Sequence, residues 1–221
     1  PNMERYFPAD KIVFTGNPIR KNLLESIVDK TEAYKHFRLR DDIPVILLVG
    51  GSLGARTLNE SVMANLDLIW QSDAQVIWQT GKYYFEDAKK AASEYENPTL
   101  LVTDFVSRMD YAYSIADLVI SRAGASSISE LCLLSKPTIL VPSPNVAEDH
   151  QSKNALALVK KDAALMIKDS EAEKLLIPKA LELISNDEML ENLSMNIYKL
   201  AEMNSADRIV DEIAKLIKNK I

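Results

Sequence analysis

The six glycines of this chain, Gly16, Gly50, Gly51, Gly54, Gly81 and Gly124, all follow apolar runs with strand character. Ordinary surface turns would scatter glycine to both ends of a sheet, whereas this chain reserves it for one rim. In open α/β sheets the rim reached after each strand is the carboxyl edge, where ligands bind. The most strand-like run is Val45-Ile46-Leu47-Leu48-Val49, apolar throughout as a strand buried on both faces requires. It enters Gly50-Gly51-Ser52-Leu53-Gly54-Ala55-Arg56, and helical spacing follows over 55–69. A strand, a glycine-rich turn and a helix cradle phosphate, because unpaired N–H groups at the helix start face the ligand. The spacing matches neither G-x-G-x-x-G nor the Walker lysine motif, which disfavours a Rossmann dehydrogenase or a P-loop ATPase.

A second unit of the same kind runs through 116–134. The apolar run Ala116-Asp117-Leu118-Val119-Ile120 leads into Ser121-Arg122-Ala123-Gly124-Ala125-Ser126-Ser127, and Ile128, Leu131, Cys132 and Leu134 repeat at helical spacing. Glycine and small residues let backbone N–H groups approach an anion at the positive end of the helix dipole. Glu130 lies about two turns in, where its carboxylate can accept from sugar hydroxyls. The residues alone leave a second reading open, a capped turn with a solvated Glu130.

The rest of the chain alternates in the same way. Strands are expected at 11–15, 75–79, 99–102, 137–141 and 163–167, and helices at 19–28, 31–38, 83–95 and 110–115. A further helix begins at His150-Gln151-Ser152-Lys153-Asn154-Ala155, and 171–220 is helical with breaks near 185–186 and 204–205. Such alternation implies a doubly wound, Rossmann-like parallel sheet flanked by helices. Arg20, near a helix start opened by Pro18, suits bidentate phosphate contact or a solvated surface position.

Composition narrows the function classes. A net charge of −6 argues against a nucleic-acid surface or an anionic-membrane surface covering the chain. No run approaches the roughly 20 apolar residues of a membrane span. One cysteine, Cys132, excludes an internal disulfide, and its place on an apolar helix face makes it a core residue. No Asp-x-Asp occurs, so that common metal-binding signature is missing, and no metal or cofactor is expected. His36, on a charged helix, reads as a surface or partly packed residue.

Together these motifs resemble the donor-binding half of the MurG-type glycosyltransferases. The resemblance rests on Gly16-Asn17-Pro18-Ile19-Arg20, the 50–59 loop and helix start, Asp104-Phe105-Val106, the Gly124-to-Glu130 segment and His150-Gln151-Ser152-Lys153-Asn154-Ala155. It implies the C-terminal domain of a GT-B enzyme that moves N-acetylglucosamine from UDP-GlcNAc to a lipid-linked MurNAc-pentapeptide, with inversion and without a metal. By that resemblance Arg20 and Ser52 contact the diphosphate, Phe105 and the Val106 backbone meet the uracil, and Glu130 holds the ribose. Gly124, Ala125, Ser126 and Ser127 cover the phosphates and sugar, and His150 and Gln151 face the GlcNAc hydroxyls. His150 stands where some relatives have Gln, and Ser127 where Thr is common. No catalytic residue is expected within the chain, because the family's general base and acceptor loops belong to an N-terminal half.

The start at Pro1 reads as a piece of a longer protein, with 1–15 as linker region and first strand and 204–221 as a terminal helix packing on the other half. The implied setting is the cytoplasmic face of a bacterial inner membrane, peripheral, with this piece itself soluble. Other readings are the donor domain of another GT-B transferase, a UDP-GlcNAc 2-epimerase, or a non-catalytic nucleotide-sugar-binding subunit.

Overall fold

The apolar runs pair with one another. In the computed structural model, which describes residues 4, 6–20, 23, 28–95 and 99–218, six strands form one sheet. They are β1 (Val45–Val49), β2 (Gln75–Gln79), β3 (Leu100–Thr103), β4 (Leu118–Ser121), β5 (Thr138–Leu140) and β6 (Leu165–Met166). Every pairing is parallel and the order is β3-β2-β1-β4-β5-β6. The chain thus builds outward from β1 to β3, then crosses back to lay β4 on the other side of β1, with Val49 opposite Ser121. The carboxyl ends of β1 and β4 flank the switch point where such sheets bind ligands.

Because successive side chains of a strand point to opposite faces, each run feeds two cores. Ile46, Leu48, Val76, Trp78, Leu118 and Ile120 pack on one face with α2 (Arg56–Met63), α3 (Leu66–Trp70) and α8 (Ala172–Ile184). Val45, Leu47, Ile77 and Val119 pack on the other, against α1 (Lys30–Phe37), α5 (Met109–Ile115), α6 (Ala125–Leu133) and α7 (His150–Val159). The remaining α-helices among the described residues are α4 (Phe85–Ala92), α9 (Asp187–Tyr198) and α10 (Ser205–Lys218). Trp78 is fully buried, and its indole N–H donates to Asn59 at 2.9 Å, whose amide in turn donates to the Thr80 carbonyl. That chain ties α2 to the end of β2 and leaves no polar atom of the pair stranded.

Two expectations need correction. No strand forms at 11–15: a short 3-10 turn, Ala9–Lys11, is followed by chain without a sheet partner, and Val13 and Phe14 are exposed. Strand propensity only becomes a strand where a neighbouring edge completes its hydrogen bonds. The helix over 55–69 is two helices, because Asn65 turns the chain and its amide bonds the Ser61 and Glu173 carbonyls. The helix expected over 19–28 falls largely on 21, 22 and 24–27, outside the described residues. The other elements lie within a few residues of expectation.

Candidate functional site

The helices that follow strands onto the carboxyl rim start with no side-chain cap: α2 after Ala55, α6 after Gly124 and α7 after Asp149, and also α4 after Tyr84 and α5 after Arg108. Their first N–H groups are therefore open to an anion, on the positive side of each dipole. Beside the starts of α2 and α7 lies a cavity of roughly 480 Å³, lined among others by Gly50, Gly54, Arg56, Arg122, Ser143, Gln151 and Asp169.

The loop after β1 holds its shape by close backbone approach. Gly54 has φ +90°, and a Cβ on it would strike the Thr80 carbonyl and the Tyr84 ring; a Cβ on Gly81 would land on the Gly54 backbone nitrogen. The Lys82 N–H donates to the Ser52 carbonyl at 3.1 Å, closing the two turns on each other. The Ser52 side chain is exposed on the tip.

The loop after β4 is braced by side chains instead. The Gln151 carbonyl oxygen accepts from the N–H groups of Ala123 (3.2 Å) and Ser143 (2.9 Å), and Asn154 donates to the Ala123 carbonyl at 3.1 Å. Arg122 donates to the Val141 and Pro142 carbonyls and pairs with Asp169, whose other oxygen accepts from Thr57 at 2.9 Å. Asn17 reaches from the Gly16-Asn17-Pro18 turn to Ser129 at 2.9 Å and to the Ala125 carbonyl at 3.4 Å. Gly124, Ala125, Ser126 and Ser127 form the cap and first turn of α6, with Ala125 and Ser126 exposed.

Glu130 is 16% exposed. Its Oε1 accepts from Arg20 at 3.3 Å and its Oε2 from the Tyr113 hydroxyl at 3.2 Å. Arg20, expected on a diphosphate, is thus paired with the carboxylate expected on a ribose. After β3, Phe105 is exposed and Val106 is buried. The Val106 N–H donates to the Gln79 side chain at 3.1 Å. His150 is exposed, with Nε2 at 3.8 Å from Glu148. It follows two residues in the left-handed region, Glu148 (φ 52°) and Asp149 (φ 55°), a local strain held by Ser152 on the Asp149 carboxylate and Lys153 on the Glu148 carbonyl.

Burial pushes the Cys132 thiol up to about 11, so it is a core residue and no nucleophile. His36 is exposed and packs edge-on against Phe37 and Tyr111. Among the described residues no group of three metal-ligating side chains converges, and no helix is long and apolar enough to cross a membrane.

The rim brings Gln151 into the cavity with the glycine loop, and sets Arg20 and Glu130 together along α6. Sequence reasoning missed Tyr113, Arg122 with Asp169 and Thr57, and the bracing roles of Asn17 and Asn154. Asn17, Thr57, Arg122 and Asn154 stood inside motifs already singled out; Tyr113 and Asp169 offered no signal of this kind.

A doubly wound sheet with its ligand rim at the β1–β4 switch point is the architecture of GT-B donor domains. Residues 45–213 match the glycosyltransferase family 28 C-terminal domain, and the chain belongs to that family. It is 62% identical over 218 residues to the UDP-N-acetylglucosamine--N-acetylmuramyl-(pentapeptide) pyrophosphoryl-undecaprenol N-acetylglucosamine transferase of Parabacteroides distasonis, covering 99% of this chain and 59% of that protein. A Bacteroides fragilis protein of the same name is 57% identical, with 97% of this chain and 57% of that protein covered. The chain therefore spans under two thirds of these relatives' length. Among solved structures, MurG of Acinetobacter baumannii superposes with a TM-score of 0.71 at 30% identity, over 83% of this chain and 53% of that one. A UDP-N-acetylglucosamine 2-epimerase shares the fold alone, with a TM-score of 0.61 at 15% identity over 96% of this chain and 53% of that one.

Proposed function

We propose that this chain is the donor-binding, C-terminal domain of a MurG-type transferase and binds UDP-GlcNAc at the β1–β4 switch point. The observation that carries the reading is the uncapped start of α6 with a largely buried carboxylate, Glu130, further along the same helix. One helix then offers N–H groups to a diphosphate and a carboxylate to a ribose. The high identity to transferases of that name over nearly the whole chain supports it.

In this reading the starts of α2 and α6, through Ser52 and residues 124–127, hold the diphosphate. As the glycosidic bond breaks, negative charge grows on the departing UDP, and preoriented N–H dipoles stabilise it without reorganising. Arg20 adds a cation once it leaves Glu130. Phe105 and the Val106 carbonyl border the uracil, and Gln151 and His150 reach the sugar.

The acceptor, a lipid-linked MurNAc-pentapeptide, and the base that deprotonates it belong to the part of the longer protein beyond this chain, as does contact with the inner face of the membrane. Residues 1–15 serve as the linker to that part, and the helix within 204–221 packs against it. Support for the last point is the apolar face of α10, where Val210 and Leu216 are 62% and 65% exposed. The piece alone transfers nothing.

Calorimetry with UDP, UDP-GlcNAc and ADP tests the reading. UDP and UDP-GlcNAc are expected to bind and ADP to bind markedly less well. Equal affinity for ADP would remove the uracil assignment.

A further inference from the structure

We propose that Tyr113 is the positioning residue for Glu130: it anchors one carboxylate oxygen and so presents the other to a ribose diol. The proposal rests on the reading of Glu130 as the ribose contact and adds a residue to it.

The two oxygens of Glu130 have unequal partners. Oε1 is held by Arg20, whose side chain is 58% exposed, and a surface ion pair of that kind is weak and readily exchanged. Oε2 is held by Tyr113, which is 5% exposed on α5 and belongs to the core cluster that also holds Ile115, Val119 and Leu131. A phenol locked by such packing cannot follow a moving carboxylate, so the carboxylate must come to it. Among the described residues the Tyr113 hydroxyl has no other hydrogen-bond partner, and a buried tyrosine hydroxyl left without one is costly.

The pairing is therefore directional. α5 fixes the donor, α6 carries the acceptor, and the plane of the carboxylate is set by the fold rather than by the ligand. Burial and the neighbouring Glu130 charge push the Tyr113 phenol upward, so it stays a protonated donor throughout the neutral range. A glutamate loses rotamer freedom when it binds, and one already pinned at Oε2 has less to lose on meeting a diol. Arg20 at Oε1 marks the oxygen that faces the exchangeable side, where a hydroxyl donor takes its place.

The test measures binding of UDP and of 2′,3′-dideoxy-UDP by calorimetry to the chain and to Tyr113→Phe, Glu130→Gln and the double variant, with thermal melting as a control for folding. Tyr113→Phe is expected to weaken UDP by about tenfold, as for loss of a hydrogen bond to a charged group, and to leave the dideoxy nucleotide unchanged. In the Glu130→Gln background the same change is expected to cost almost nothing further. Equal losses for both nucleotides, or additive losses in the double variant, would make Tyr113 a packing residue only and overturn the proposal. If Tyr113→Phe melts out, 3-fluorotyrosine at 113, a stronger donor of nearly the same shape, takes its place: it is expected to tighten UDP selectively, and no selective change overturns the proposal. A parent chain that fails to discriminate UDP from the dideoxy analogue defeats the ribose reading itself. Discrimination that survives Tyr113→Phe defeats only this inference.

Discussion

The two edges of the sheet engage their polar side chains alike and differ in what they leave of the backbone. At the amino edge, polar side chains close the strand starts onto themselves. The buried Gln75 side chain bonds the Arg40 N–H and the Arg40 and Ile43 carbonyls, Asp117 accepts from the Val45 N–H, and the Lys136 ammonium donates to the Ala116 carbonyl. At the carboxyl rim, side chains such as Gln151 and Arg122 brace the loops, while α2, α4, α5, α6 and α7 all start without side-chain caps. Side chains at both edges are engaged with the chain; what the carboxyl rim leaves open is the backbone N–H groups at its helix starts. A polar residue near a strand end is thus uninformative about function until its partner is known.

The separation can be attacked from both sides. Gln75→Leu removes three hydrogen bonds and strands their backbone partners, so a stability loss of roughly 3 kcal/mol is expected in urea denaturation, with UDP affinity of the folded protein intact. A parallel loss of affinity would mean the edges are coupled. On the rim, Glu130→Ala is expected to weaken UDP by about 2 kcal/mol, roughly thirtyfold, while Glu148→Ala, at an exposed position nearby, changes little. The reverse order would misplace the ribose contact.

A further contrast lies in pH, at Lys136 on the amino edge, whose ammonium burial lowers from the usual 10.5 to about 8. Between those values the unfolded chain holds more protons than the folded one, so stability rises with pH across that window, by at most about 1.4 kcal/mol per unit. Below pH 8 both states carry the charge and the burial cost is fully present. Lys136→Met is expected to remove this slope relative to the parent in paired melting curves from pH 7 to 10.5. Identical slopes would mean that the amine is hydrated in the folded state.

Most of the sheet was legible from sequence because its strands are buried on both faces: 45–49 and 75–79 could scarcely be anything else. The run at 11–15 misled for the complementary reason, since a short apolar segment records propensity and says nothing of a partner. In the site, the glycine loop and the α6 start were legible because their chemistry is local in sequence. The Thr57–Asp169 bond spans 112 residues and the Arg122–Asp169 pair 47, and neither leaves a spacing that a single sequence can display. Gln151 is the instructive intermediate. Its place on the rim was expected, but its carbonyl oxygen is engaged in joining two loops, so the proposed sugar contact would fall to its amide nitrogen alone.

The mutual contact of Gly54 and Gly81 carries a consequence for transplantation. Each turn is the mould in which the other sets, so neither has a conformation of its own to export. Grafting the 50–54 loop onto another sheet, or exchanging it between relatives to change donor preference, requires the 80–82 turn to travel with it. Moved singly, the loop arrives without half of its template.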